Sequence, residues 1–174
     1  MDDARRRELE ARRAAMQGRN DRERQRRALW GVDEKLTAAG AVFELLYRDT
    51  LPRFDWIGGL VPAGAFHLRW DGVPAAASEY VNHDERAGFA CAILEGLAED
   101  ARIHVVPGNG LAPIIALTRA EFARHAEMLT DIDSEMWLSG APDWLIEFRR
   151  HEAHVVGLEL PETTGWHRKP DSES

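Results

Sequence analysis

Cysteine and long apolar runs are scarce in this 174-residue chain, and each scarcity excludes a class of protein. Cys91 is the only cysteine, so no disulfide can form within one chain. Its place in the apolar segment AGFACAIL predicts a small buried side chain rather than a nucleophile. No apolar run approaches the ~20 residues of a transmembrane helix, and the N-terminal residues MDDARRRELEARR lack the apolar segment of a secretory signal. We therefore expect a cytoplasmic protein that does not bind membranes.

Motifs for common chemistries are also missing. Gly58-Gly59 lacks the lysine and Ser/Thr of a P-loop, and Gly108-Asn109-Gly110 predicts a hairpin turn because no helix begins directly after it. No serine lies in a nucleophile-elbow pattern. His151 and His154 are three residues apart in a predicted turn, whereas a metalloprotease helix needs a spacing of four. The sequence therefore predicts no catalytic residues, no metal and no cofactor.

Charge is divided unevenly along the chain. Residues 1–27 contain ten arginines against six acidic residues, a net charge of +4, whereas residues 28–174 carry −12. Acidic and basic residues in the first segment stand at helical spacing, as Glu8 and Arg12 do, which predicts a charged helical arm. An RNA-binding arm is the alternative, although the interleaved acids favour a solvated helix. An acidic body disfavours nucleic acid and favours a cationic partner.

Hydrophobic periodicity predicts one α+β domain over residues 28–160, preceded by the arm and followed by a polar tail over 161–174. We expect a mostly antiparallel sheet of about five to six strands, with helices packed on it and N-terminal helices before it. The expected strands are 66–70, 102–108, 111–117, 134–140, 144–150 and 154–160, and the expected helices are about 21–39, 84–99 and 118–130.

One segment, residues 41–51, is ambiguous because its apolar residues are too continuous to assign by period. Glu44, Arg48 and Asp49 can share the outer face of a helix, so a short helix is favoured, and a strand remains the alternative.

The second half of the chain has the clearest local signals. Thr118 and Glu121 have the spacing of a capping box at the start of a helix. Three short apolar segments then follow so closely that they can only form an antiparallel meander. In the middle strand Trp144, Ile146 and Phe148 alternate with Glu147, which predicts that these two sets lie on opposite faces.

Acidic residues are densest where that helix joins the meander. Asp131, Asp133 and Glu135 alternate, so in an extended segment their carboxylates would share one face. Calcium and magnesium take such ligands, but the later glycine and glutamate of an EF-hand are absent. A carboxylate cluster that faces a basic groove on a partner protein fits the charge better. The predicted partner-binding residues are Glu127, Asp131, Asp133, Glu135 and Asp143, with Trp56 and Trp166 as interface anchors from loop-like segments.

The stretch IIALTRAEFARHAEMLTDIDSEMWLSGAPDWLIEFRRHE, residues 114–152, resembles the C-terminal layout of small acidic bacterial immunity proteins that neutralise polymorphic toxins. This resemblance implies a single acidic α+β domain that binds a cognate toxin and occludes its active site, with no chemistry of its own. The basic arm departs from that pattern. The leading hypothesis is therefore a non-enzymatic protein that binds a basic, toxin-like partner. The alternatives are a small enzyme with a His/carboxylate site in a sheet cleft and an RNA-associated protein that uses the arm.

Overall fold

A computed structural model describes residues 3–47, 77–141 and 143–160 and shows an α+β domain. In this part of the chain, helices pack on a seven-stranded antiparallel sheet, and a long helix precedes them. The helices are α1 Asp3–Arg27, α2 Val32–Ala38, α3 Arg86–Leu94, α4 Arg119–Arg124 and α5 Ala126–Thr130, with a 3-10 turn at His83–Glu85. The strands are β1 Phe43–Leu46, β2 Ala77–Tyr80, β3 Arg102–Pro107, β4 Ile114–Thr118, β5 Glu135–Gly140, β6 Trp144–Arg149 and β7 Glu152–Val156.

The strand order is β1-β4-β3-β5-β6-β7-β2. Strands β5, β6 and β7 form the predicted antiparallel meander, and β3 pairs with β4 as the turn signal at residues 108–110 indicates. The described strands number seven, whereas five to six are expected. Strand β1 lies in the segment for which a helix is favoured, and β2 lies at residues 77–80, to which the sequence pattern assigns no element. The strand expected at residues 66–70 lies outside the described residues.

The prediction of a helix within residues 41–51 is wrong, because residues 43–46 form strand β1. This strand pairs with four of the five residues of β4, from Phe43 opposite Leu117 to Leu46 opposite Ile114. The pairing satisfies the backbone groups on the otherwise open side of a buried strand. Periodicity did not detect this, because the demand for hydrogen bonds arises from β4 and not from the segment itself.

The main core lies between the helices and one face of the sheet, which we call the helix-covered face. Leu36 of α2, Phe122 of α4 and Leu129 of α5 are fully buried against the sheet. The helix expected over 21–39 is interrupted, because residues 28–31 form a turn in which Trp30 and Gly31 have positive φ, and the fully buried Leu29 lies in this turn. At about 25 cal/mol per Å² of apolar surface, each such side chain contributes about 1.5–3 kcal/mol. The buried sheet residues that meet them include Ile103, Val105, Ile115, Met136, Leu138, Ile146, Phe148 and Val155.

The predicted helix over 118–130 begins where its cap signal lies, but it is interrupted. The Thr118 hydroxyl accepts a hydrogen bond from the Glu121 N–H at 3.2 Å. The Glu121 carboxylate does not complete the capping box and instead accepts the Val42 N–H at 3.0 Å, which fixes the entry to β1. Residue His125, with φ −124° and ψ 18°, then separates α4 from α5.

Helix α1 runs for 25 residues with exposed side chains along most of its length. Pairs four residues apart, such as Glu8 with Arg12 at 2.7 Å, support it, although exposed pairs of this kind contribute only a few tenths of a kcal/mol. Its C-terminal end is held firmly, since Arg26 pairs with the buried Asp33 of α2. None of the described helices is both long and apolar enough to cross a membrane.

Arg86 of α3 joins the helix layer to the chain connections at one end of the sheet. Its side chain is 1% exposed and donates hydrogen bonds to three backbone carbonyls: Asp133 at 3.1 Å, Ser134 at 2.8 Å and Arg150 at 2.8 Å. The guanidinium also lies 5.4 Å from the ring centroid of Phe148. Burial lowers the pKa of Arg86, while the charges of Asp133 and Asp131 act in the opposite direction. One buried cation therefore fixes both the α5–β5 connection and the β6–β7 turn.

We predict that Arg86→Met lowers the free energy of unfolding by about 3–5 kcal/mol, because three backbone carbonyls in part-buried bonds lose a charged donor and each hydrogen bond to a charged group contributes about 1.5–3 kcal/mol. Urea denaturation followed by tryptophan fluorescence measures this. The matched control is Arg102→Met, since Arg102 pairs with Glu44 at the surface and its loss should cost below about 1 kcal/mol. Equal effects of the two substitutions would show that Arg86 does not hold the α5–β5 connection and the β6–β7 turn in place.

Candidate functional site

Two exposed carboxylates stand together at the end of the helix layer, and we call Glu127 and Asp131 the acidic surface. They are four residues apart at the end of α5, so they lie on the same side of that helix. His83 Nε2 lies 2.6 Å from the Asp131 carboxylate, which brings the 3-10 turn, with its exposed Asp84, beside this surface. Among the described residues, Glu127 forms no side-chain ion pair, so its charge faces solvent.

The three alternating carboxylates do not share one face, contrary to the sequence expectation. Asp131 is the C-cap of α5 and has φ −94° and ψ 0°, so the segment is not extended there. The Asp133 carboxylate instead accepts the Asn109 N–H at 2.8 Å. Glu135 opens β5 directly opposite Arg149 of β6. Because the next residue, Met136, points into the core, Glu135 projects from the face of the sheet away from the helices.

Asp143 is separated from the acidic surface. It lies in the turn between β5 and β6, beyond the pair Gly140–Trp144, whereas Glu135 pairs at the other end of the same ladder. Five residues of strand at ~3.3 Å each place these two ends about 17 Å apart. The structure thus brings together Glu127 and Asp131 and leaves Asp143 elsewhere, while Trp56 and Trp166 lie outside the described residues.

The backbone beneath the acidic surface is held by specific contacts. The hydroxyl of Thr130, a buried residue, donates to the Ala126 carbonyl at 2.9 Å and closes the last turn of α5. The Arg86 bonds fix the two residues after Ile132, namely Asp133 and Ser134. The carboxylates therefore stand on a preorganised base, which reduces the entropy that a partner would have to remove on binding.

An open cavity of about 500 Å³ lies beside the acidic surface, between α3 and the α4–α5 pair. Small residues form much of its wall, Cys91 lies in it, and Glu127 stands in its lining. Burial raises the pKa of the Cys91 thiol, and the charge of Arg119 only partly opposes this. A thiol with a raised pKa is a poor nucleophile, which agrees with the structural role that the sequence indicates.

We predict that Cys91 reacts with a disulfide reagent at least tenfold more slowly in the folded protein than in urea, because the folded state disfavours the thiolate. Reaction with 5,5′-dithiobis(2-nitrobenzoate), followed by absorbance, measures both rates. Faster reaction in the folded state would indicate an activated thiol in this cavity.

A second group of polar side chains lies on the face of the sheet away from the helices. Four residues of adjacent strands are direct cross-strand partners: Trp137 with Glu147, Glu147 with His154, and His154 with Ser78. We call these four residues the polar row. Glu147 lies on the face that its alternation predicts, but it is only 2% exposed, and the Trp137 indole N–H donates to its carboxylate at 2.9 Å.

His104 lies in the next row of the same face, between Ala116 of β4 and Ser139 of β5. Burial lowers the pKa of His104, and Arg102 lowers it further, while Glu44 opposes both. The unfolded chain therefore binds a proton more readily than the folded chain between the folded pKa and the ordinary value near 6.5. As pH falls through this window, His104 makes a growing unfavourable contribution to stability.

We predict that the loss of unfolding free energy between about pH 7.5 and about pH 5 is smaller in His104→Gln than in the wild type, since glutamine does not titrate. Urea denaturation at both pH values gives the comparison. An identical loss in the two proteins would exclude His104 as a source of acid sensitivity.

Sequence reasoning missed three features of these sites. Arg86 carries a weak signal, since it is the single charged residue in the apolar helix RAGFACAIL. Glu147 likewise interrupts the apolar strand WLIEFR. The contact between Ser78 and His154 has no signal in the sequence, because 76 residues separate the two and the register of β2 on β7 brings them together.

Comparisons with known proteins add no assignment: no protein-family model matches the chain, and no curated protein matches it either. Among the described residues, no group of three His, Cys, Asp or Glu side chains is arranged to hold a metal ion. The function of the protein is therefore inferred from the geometry of the acidic surface and of the polar row.

Proposed function

We propose that this protein is a protein-binding module of the immunity type, which binds and occludes a basic, toxin-like partner through the acidic surface. The observation that carries the proposal is the pair Glu127 and Asp131, two exposed carboxylates on one side of a firmly held helix end. The −12 charge of residues 28–174 supports the same polarity of partner.

Electrostatic complementarity would act mainly on recognition and on the rate of encounter. Opposite charges steer association and raise the on-rate by one or more orders of magnitude at low salt, with a range set by a Debye length of about 8 Å at physiological ionic strength. Exposed charge pairs add little affinity by themselves. The adjacent cavity supplies concave surface where a partner side chain would be desolvated, which is where binding energy concentrates.

The structure changes which residues the test should use. Asp133 accepts a backbone N–H, so reversing its charge would disturb the fold as well as binding. Glu135 lies on the other face of the sheet. Glu127→Lys combined with Asp131→Lys is therefore the informative variant, and Glu95→Lys with Asp100→Lys is its control. Glu95 and Asp100 are equally exposed, carry the same charge change and lie beyond the far end of α3.

We predict that Glu127→Lys/Asp131→Lys reduces capture of basic proteins from an extract of the source cells at least tenfold relative to the wild type, because steering attraction becomes repulsion. Quantitative mass spectrometry of the bound fraction, at about 50 mM and about 300 mM salt, measures the loss. The control variant should retain wild-type capture. Equal recovery of the same partners by the charge-reversed acidic surface and the wild type would refute the proposed docking site.

A further inference from the structure

The polar row ends in a serine and a histidine that are close enough to exchange a proton. Ser78 Oγ lies 2.6 Å from His154 Nδ1. The other ring nitrogen, His154 Nε2, lies 3.6 Å from a carboxylate oxygen of Glu152. A hydroxyl, an imidazole and a carboxylate therefore follow one another, with the imidazole in the middle. This is the order of groups that activates a hydroxyl as a nucleophile.

Strand register holds these groups in place. Ser78 of β2 is directly opposite His154 of β7, and Glu152 is two residues before His154 on the same strand, so all three project from one face. Opposed residues in an antiparallel pair have Cβ atoms about 4.5–5.5 Å apart. The contact thus follows from the sheet itself and does not depend on the position of a mobile loop.

Exposure also differs among the groups in a way that suits a nucleophile and its base. Ser78 is exposed to solvent, whereas the His154 side chain is only 12% exposed. A substrate can reach the hydroxyl while the base is shielded from bulk water. Glu152, at 50% exposure, stays in contact with water beside the imidazole.

We propose that Ser78 is a nucleophile that accepts an acyl group from carboxylic esters with a good leaving group. Ser78 Oγ forms a bond to the ester carbonyl carbon, and its proton passes to His154 Nδ1. The carbon–oxygen bond to the leaving group breaks, and His154 returns the proton to the departing alkoxide. Water then attacks the acyl-serine, with His154 again accepting and returning a proton, which releases the carboxylic acid and restores Ser78.

The leaving group is restricted for an energetic reason. General-base assistance by one positioned imidazole contributes about 10²–10⁴-fold, which suffices for activated esters but not for amides. His154 accepts and returns the Ser78 hydroxyl proton directly. Glu152 acts through His154 and is a positioning residue. This site lies on the sheet face away from the helices, so it is independent of the acidic surface.

Phosphonylation by a biotinylated alkyl fluorophosphonate tests the proposal, since the attacking hydroxyl displaces fluoride and the adduct is located by peptide mass spectrometry. We expect the adduct on Ser78 at a rate at least tenfold above that on Ser134, an exposed serine in the α5–β5 connection that serves as the internal control. Ser78→Ala should abolish the adduct at this position, and His154→Gln should slow it at least tenfold. Ser134→Ala should leave the Ser78 rate unchanged.

The role of Glu152 is tested by rescue: Glu152→Gln should slow the reaction, and Glu152→Asp should restore part of the rate. No adduct on Ser78, or equal rates at Ser78 and Ser134, would overturn the proposal. The ratio is measured in the wild type, so it decides the matter even if His154→Gln folds poorly. Ser78 labelling is measured without any partner protein, so its failure and a failure of the acidic-surface test are distinguishable.

Discussion

A single buried guanidinium holds together the two chain connections at one end of the sheet, the α5–β5 connection and the β6–β7 turn. Arg86 enters the core from α3 and donates to carbonyls that lie 47, 48 and 64 residues further along the chain. An isolated buried charge is costly, so the arginine is tolerated because its two terminal nitrogens meet carbonyl oxygens and its guanidinium meets an aromatic ring. The position of the acidic surface depends on this arrangement, since the same bonds fix the connection that follows α5. The acidic surface is therefore rigidly attached to the core at this end of the sheet.

The two faces of the sheet have different chemistry. Helices cover one face with apolar side chains, and the central strands carry an almost unbroken run of aliphatic and aromatic residues there. The other face has a smaller apolar cluster of Leu46, Ile114 and Ala116, beside which polar side chains pair across strands. Antiparallel sheets commonly carry polar side chains on the face away from the core, but Glu147 is buried there, and an unpaired buried polar group costs about 1–3 kcal/mol. The polar row satisfies part of that demand internally, through Trp137 with Glu147 and Ser78 with His154.

Local pattern predicted the fold class and most of the elements, and tertiary pairing decided the rest. The cap at Thr118 and the three-strand meander follow from spacing, and the structure contains both, whereas the single helix expected over 21–39 is interrupted by the turn at residues 28–31. Period and spacing did not predict strand β1, because its conformation depends on backbone groups of β4 and not on its own side chains. For the candidate site, too, local spacing predicted some contacts and not others. Glu127 and Asp131 are close in sequence and remain close in space. Asp133 instead accepts a hydrogen bond from the Asn109 backbone N–H in a distant turn, and the alternation of charges in the sequence does not indicate this contact.

Helix α1 has a consequence for the whole molecule. It is anchored at its C-terminal end through Arg26 and Asp33, and 25 residues at ~1.5 Å each extend for about 37 Å. Residues 1–27 are positive and the rest of the chain is strongly negative, so among the described residues the positive charge lies along this exposed helix and the negative charge on the domain that follows it. The described part of the protein therefore has a permanent dipole moment. A charged partner exerts a torque on such a molecule as well as a force, so it would rotate the protein toward one orientation before the surfaces touch.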